Sequence, residues 1–148
     1  MPKKDAKKGK AEAALLDTLN TLRARELAVI EQYMRHHYIV TGPEGVALAD
    51  EFKEVAFTEM KHAEALAERI DFLGGDPTTV PGPISKAATT LHQMAAEDLG
   101  AEQDAVALYG AAIKQFDDAG DVTTRRLLES ILGDEEDHVN TFERMLGK

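Results

Sequence analysis

The chain has 148 residues, no cysteine and a formal net charge of −10. That length fits one domain with a core of its own, and the lack of thiols excludes both disulfide frameworks and thiolate metal sites. The charge is unevenly placed: Lys3, Lys4, Lys7, Lys8 and Lys10 against Asp5 give the first ten residues +4, so residues 11–148 carry −14, which argues against generic nucleic-acid binding by the body.

Charged residues interrupt any apolar signal core near the start, and no stretch is apolar enough to span a bilayer. A cytoplasmic protein without membrane contact is expected. Residues 1–10 read as a flexible lysine-rich tail and residues 11–148 as one all-α domain, because apolar residues recur at three-to-four spacing and alternating β-branched runs are missing.

The first helix is expected over roughly 11–40, ended by Thr41-Gly42-Pro43. Its inward stripe is Leu15, Leu19, Leu22, Val29, Ile30 and Tyr33, with Glu26 in a slot where a leucine belongs. The second, over roughly 45–73, brackets Glu59 and His62 with Phe52, Val55, Ala56, Ala63, Leu66, Ile70 and Leu73. Gly74-Gly75-Asp76-Pro77 stops it, and Pro81-Gly82-Pro83 continues a long connection. The third, over roughly 85–118, sets Glu102 between Ala95, Leu99, Ala105, Val106 and Tyr109 and stops at Ala119-Gly120. The fourth, over roughly 121–146, sets Glu135 and His138 among Leu128, Ile131, Leu132, Val139 and Phe142. Helices each on the order of 40 Å long, joined by two short turns and one long connection, make a four-helix bundle with a central crossover.

The spacing of the buried charges is regular. Glu26 precedes Glu59 by 33 residues, and Glu102 precedes Glu135 by 33; the midpoints fall at or beside the two short turns. In an antiparallel hairpin, residues equidistant from the turn sit at one height, so each glutamate pair faces itself, with His62 and His138 one turn away on the same faces. Tyr33 and Tyr109 each follow a glutamate by seven residues, and the two hairpins repeat with an offset of 76.

Four carboxylates in a core repel one another and lose hydration, which is tolerated only if they protonate or hold cations. Hard carboxylate oxygens with imidazole nitrogen suit two iron or manganese ions. Glu59 and Glu135 would bridge, Glu26 with His62 and Glu102 with His138 would complete the two ends, and Tyr33 and Tyr109 would donate hydrogen bonds to the glutamates. A single Glu-x-x-His on a helix is usually a solvated pair; two of them with matched glutamates on apolar faces are specific.

The stretches RELAVIEQYMRHH, EFKEVAFTEMKHAEALAERIDFLGGDP and LLESILGDEEDHVNTFERML resemble bacterioferritin, within the ferritin-like superfamily, over roughly residues 14–147. The resemblance implies that Glu26, Glu59, His62, Glu102, Glu135 and His138 are ferroxidase ligands for two iron ions per subunit. It implies that Fe(II) is oxidised by O2 or H2O2 and stored as a ferric mineral in a homo-oligomeric shell. It also implies that Met60 ligates haem at a twofold subunit interface, one haem per subunit dimer, with Leu27, Ile30, Met34, Phe57 and Lys61 around it.

Three departures from bacterioferritin qualify the resemblance. Only ten residues follow His138, so the short fifth helix is missing and a 12-subunit shell is favoured over 24. Glu54 and Thr58 stand where bacterioferritin has a His and an Asp that help route iron. The lysine-rich head resembles mini-ferritin tails that hold DNA, although its plain reading is a solvating extension. Two other readings stay open: a non-storage di-iron oxidase or peroxidase in the manner of rubrerythrins, and a helical interaction module with a vestigial site. His36 and His92 read as surface or capping residues, and His37 as facing the bundle end.

Overall fold

The computed structural model describes residues 3–148, with side chains described from residue 8 onward. The DNA contacts expected of Lys3, Lys4 and Lys7 lie outside the described side chains; Lys8 and Lys10 are exposed. Four helices follow one another: α1 (Lys3–Ile39), α2 (Gly42–Phe72), α3 (Leu91–Asp118) and α4 (Val122–Met145). Among the described residues no helix is long and apolar enough to cross a membrane. The first helix begins at Lys3 instead of near residue 11, which the strong helix formers of this stretch favour.

The long helices pack as two hairpins, α1 on α2 and α3 on α4. The α3–α4 turn depends on Gly120, whose φ of +75° suits a residue without a Cβ. Asp121 then caps α4, accepting from the Thr124 amide at 3.0 Å, and Arg69 from the end of α2 holds the same carboxylate at 3.1 Å. After α2, Gly75 approaches α1 so closely that a Cβ would meet Leu16 Cδ2 at 2.8 Å.

Between α2 and α3 the chain runs without regular structure and is fastened along α1. Asn20 donates to the Asp76 carbonyl at 3.0 Å, Arg23 to Thr78 at 2.9 Å and Arg35 to Ala88 at 3.2 Å. The Gly82 amide donates to the Ala24 carbonyl at 2.9 Å, and the Ser85 amide to Gln32 Oε1 at 3.2 Å. This crossover makes α3 antiparallel to α1. The third helix starts at Leu91 and not at 85, because Thr90 caps it by accepting from the Gln93 amide while Gln93 Oε1 reaches back to the Thr89 amide.

Two apolar layers fill the bundle. One gathers Leu19, Leu66, Ile70, Phe116 and Leu128, and the other gathers Val29, Phe52, Val55, Met94 and Phe142. Burying each such side chain contributes roughly 1.5–3 kcal/mol. The charged site expected from the sequence is built of residues interleaved along the helices with those of both layers.

Candidate metal centre

Each helix carries its glutamate inward, as the apolar spacing requires. Glu26, Glu59, Glu102 and Glu135 are all fully buried, and His62 and His138 nearly so. His62 Nδ1 lies 2.8 Å from Glu59 Oε2 and 2.9 Å from Glu135 Oε1. His138 Nδ1 lies 3.2 Å from Glu59 Oε1 and 3.7 Å from Glu102 Oε2. The six groups form two sets, Glu26–Glu59–His62–Glu135 and Glu59–Glu102–Glu135–His138, whose donor atoms within a set lie within 4.8 Å of one another. Glu59 and Glu135 belong to both.

The tyrosines bond across the hairpins. Tyr33 donates to Glu102 Oε1 at 2.5 Å, and Tyr109 donates to Glu26 Oε1. Each therefore holds the glutamate of the other repeat and leaves that carboxylate's second oxygen turned to the centre. Glu59 Oε1, Glu102 Oε2, Glu135 Oε1 and His138 Nδ1 are buried without a hydrogen bond. Buried polar atoms are normally satisfied, so orphaned atoms that coincide with the donor sets fit a site that takes cations. Their chemistry, carboxylate oxygen and imidazole nitrogen, suits iron or manganese.

Residues 16–148 match the family described as the ferritin-like domain. The chain belongs to the ferritin-like family. Bacterioferritin of Desulfovibrio desulfuricans is 34% identical over 134 residues, covering 90% of this ferritin-like chain and 75% of its own length. An X-ray structure of that bacterioferritin, showing its diiron site in different catalytic states, superposes with a TM-score of 0.83 at 32% identity over 93% of this chain and 81% of its own. Rhodobacter capsulatus bacterioferritin, solved with a metal-free dinuclear site and haem iron in a crystallographic special position, gives 0.79 at 30% identity over 91% and 84%.

Protons in the ferritin-like centre are distributed by its charges. Burial opposes a charge on His62, yet Glu135 and Asp134 outweigh it and push the imidazole up to about 8. His138 is pushed up to about 12, because Glu102, Glu135 and Glu59 outweigh burial in the same way. Burial raises Glu26, and raises Glu59 further with the charge of Glu26 added. Burial also pushes Glu135 up, but the close approach of Glu102, His138 and His62, with the charge of Arg25, leaves it below the usual carboxylate range.

A pH dependence follows. His62 rises above its ordinary value of 6.5, so its contribution to stability is complete below pH 6.5 and lost as pH passes through about 8. Metal ligation instead needs the deprotonated Nδ1, so affinity increases over that window. The gap in Tm between metal-loaded and chelator-stripped protein is expected to widen from pH 6.5 to about 8. Thermal unfolding of both forms across that range checks it, and a gap that narrows contradicts the assignment.

Several functional neighbours were not foreseen from the sequence. Arg25 places its guanidinium among the glutamates, 3.2 Å from both Glu26 Oε2 and Glu135 Oε2. Asp134 accepts His62 Nε2 at 2.8 Å and orients the ring. His36 is not a surface or capping residue: it is fully buried, with Nδ1 2.7 Å from Asp98 Oδ2. Asp98 lies four residues before Glu102, so helical spacing alone puts it on the inward face. His92 is exposed as expected, and His37 is half-buried with Nδ1 2.8 Å from the Ala49 carbonyl.

Met60 is half-exposed on a groove of about 890 Å³ lined by Leu27, Ile30, Phe57 and Lys61. Met34 is not among the lining residues; it packs against the core. Arg23, Glu54 and Thr58 line the groove as well.

Proposed function

We propose that the chain is a ferroxidase that oxidises Fe(II) at the paired donor sets and belongs to an iron-storing shell. The sharing of Glu59 and Glu135 by two sets carries this reading. Two Fe(II) substrates held side by side deliver the two electrons that reduce O2, with two protons, to H2O2, leaving two Fe(III). With H2O2 as oxidant, two protons and two electrons give two waters. Glu26 with His62 and Glu102 with His138 hold one ion each, and Glu59 and Glu135 span both. Tyr33 and Tyr109 keep the outer glutamates pointed at the ions through their hydrogen bonds. The acidic body favours cation entry.

The donor chemistry of the Met60 groove fits haem: a half-exposed thioether on apolar walls, with the exposed Lys61 on its lining to meet a carboxylate. Met60 would hold the iron together with its copy in a second subunit, as the special-position haem iron of the R. capsulatus relative also favours. Haem bound there supplies one-electron transfer.

Aerobic Fe(II) loading, followed by size exclusion with light scattering and absorbance, tests the whole reading. Iron uptake well beyond two per chain, a mass of twelve chains and a Soret band that Met60→Ala removes are expected. A dimer that stops at two irons per chain sinks storage in favour of a non-storage di-iron enzyme. A Soret band that survives Met60→Ala removes the haem assignment, and a mass of twenty-four chains corrects the shell.

A further inference from the structure

The guanidinium of Arg25 touches all four glutamates of the centre. Nη1 lies 3.2 Å from Glu26 Oε2 and from Glu135 Oε2, and 3.7 Å from Glu59 Oε1, while Nη2 lies 3.3 Å from Glu102 Oε2. The mooring to neutral protein is slight, a single bond from Nη2 to the Ala101 carbonyl at 3.1 Å. By the offset of 76, Ala101 is the counterpart of Arg25 in the second hairpin. One half of the pseudo-symmetric site therefore brings a cation, and the other brings only a carbonyl to receive it.

That placement conflicts with two bound ions. A metal ion lies about 2.0–2.2 Å from a carboxylate oxygen, so an ion on Glu26 Oε2 or Glu135 Oε2 sits no more than about 5.5 Å from Nη1. In a buried setting, repulsion between a guanidinium and a divalent cation at that separation is weakly screened. Both also draw on the same oxygens. The side chain of Arg25 is 13% exposed, unlike the fully buried glutamates. It reaches solvent at the edge of the site, which gives the guanidinium a direction in which to leave.

We propose that Arg25 is a built-in, displaceable counter-cation: it holds the four glutamates together before divalent ions arrive, and it must be driven out for both ions to bind. This rests on the metal-site reading above. The guanidinium thereby sets the affinity of the centre, because every binding event includes the work of expelling it. By linkage, whatever metal loses to this competition the unloaded fold gains.

Co(II) reports the competition without turnover. Chelator-stripped wild type, Arg25→Gln and Arg25→Lys are titrated with Co(II), read by calorimetry and by visible absorption. Arg25→Gln is expected to keep two ions per chain and to bind them tighter by about tenfold, with a lower Tm before loading. Arg25→Lys, which keeps a charge on a shorter fork-less chain, falls between. In the wild type, phenylglyoxal modification of Arg25, followed by peptide mass spectrometry, is expected to run roughly tenfold faster after Co(II) loading than before it.

The outcomes separate the two readings. If wild type takes up no Co(II), the metal-site reading falls and this proposal with it. If wild type binds two ions but Arg25→Gln binds them equally or more weakly, Arg25 is a fixed scaffold and only this proposal falls. Should Arg25→Gln fail to fold, the wild-type modification rates decide: protection that Co(II) leaves unchanged overturns displacement.

Discussion

Replacing either Glu59 or Glu135 with alanine is expected to abolish binding of both metal ions, whereas Glu26→Ala or Glu102→Ala leaves one. The asymmetry comes from membership: Glu59 and Glu135 each belong to both donor sets, while Glu26 and Glu102 each belong to one. Removing a shared carboxylate leaves each set with three donors and takes away the negative charge that makes two adjacent dications tolerable. Stability should move the other way. Glu59 is raised well above its ordinary value by burial and by the charge of Glu26, so its ionised form is a cost to the fold before metal arrives. Glu59→Gln, which keeps the side chain's volume and removes that charge, is therefore expected to lose metal binding while the stripped protein unfolds no earlier than wild type. Calorimetric Co(II) titration with thermal unfolding reads both, and undiminished two-ion binding in the Glu59 and Glu135 variants would rule the centre out.

Asp98→Ala is expected to destabilise the protein by about 2–3 kcal/mol, the cost of stranding buried partners of a charged group. Asp98 accepts from Gln32 Nε2 at 2.8 Å and pairs with His36 Nδ1 at 2.7 Å, all within the bundle. Gln32 in turn receives the Ser85 amide, so the network ties α1 and α3 to the crossover. Yet burial lifts Asp98 to about 6, and its bonds with His36 and Gln32 only partly offset that. Ionised Asp98 is thus no net gain over an apolar core, and the stability its protonated form contributes is lost as pH rises from 3.8 through about 6. The double variant His36→Leu/Asp98→Leu should therefore lie within about 1 kcal/mol of wild type. Urea unfolding of His36→Leu, Asp98→Leu and the double closes this cycle; additive losses would show that the two side chains stabilise the fold independently and would overturn this expectation.

The amino-acid pattern carried the helices, the crossover and the convergence of four glutamates and two histidines because all depend on periodicity, which a one-dimensional chain displays. Tyr33 and Tyr109 were legible for the same reason, through their seven-residue separation from a glutamate. Arg25 and Asp134 were not. Each is the immediate neighbour of an inward-facing glutamate, and a helix turns such a residue about 100° away; only a long side chain wrapping the helix, or a partner on a facing helix, returns it to the site. His36 was misread although it lies three residues after Tyr33 on the same face. The start of α3 was signalled by Thr90 and Gln93, a capping pair masked by the helix-compatible Ser85–Thr89 stretch before it.

Neither hairpin owns a complete set of donors. Each set draws on α4 as well as α2, and each outer glutamate is steadied by a tyrosine from the opposite half. A chain still emerging from the ribosome has three helices and no centre. Both sets are completed only when the α3–α4 hairpin docks on the α1–α2 hairpin, so the centre depends on the contact between the two halves of the bundle and on neither half alone.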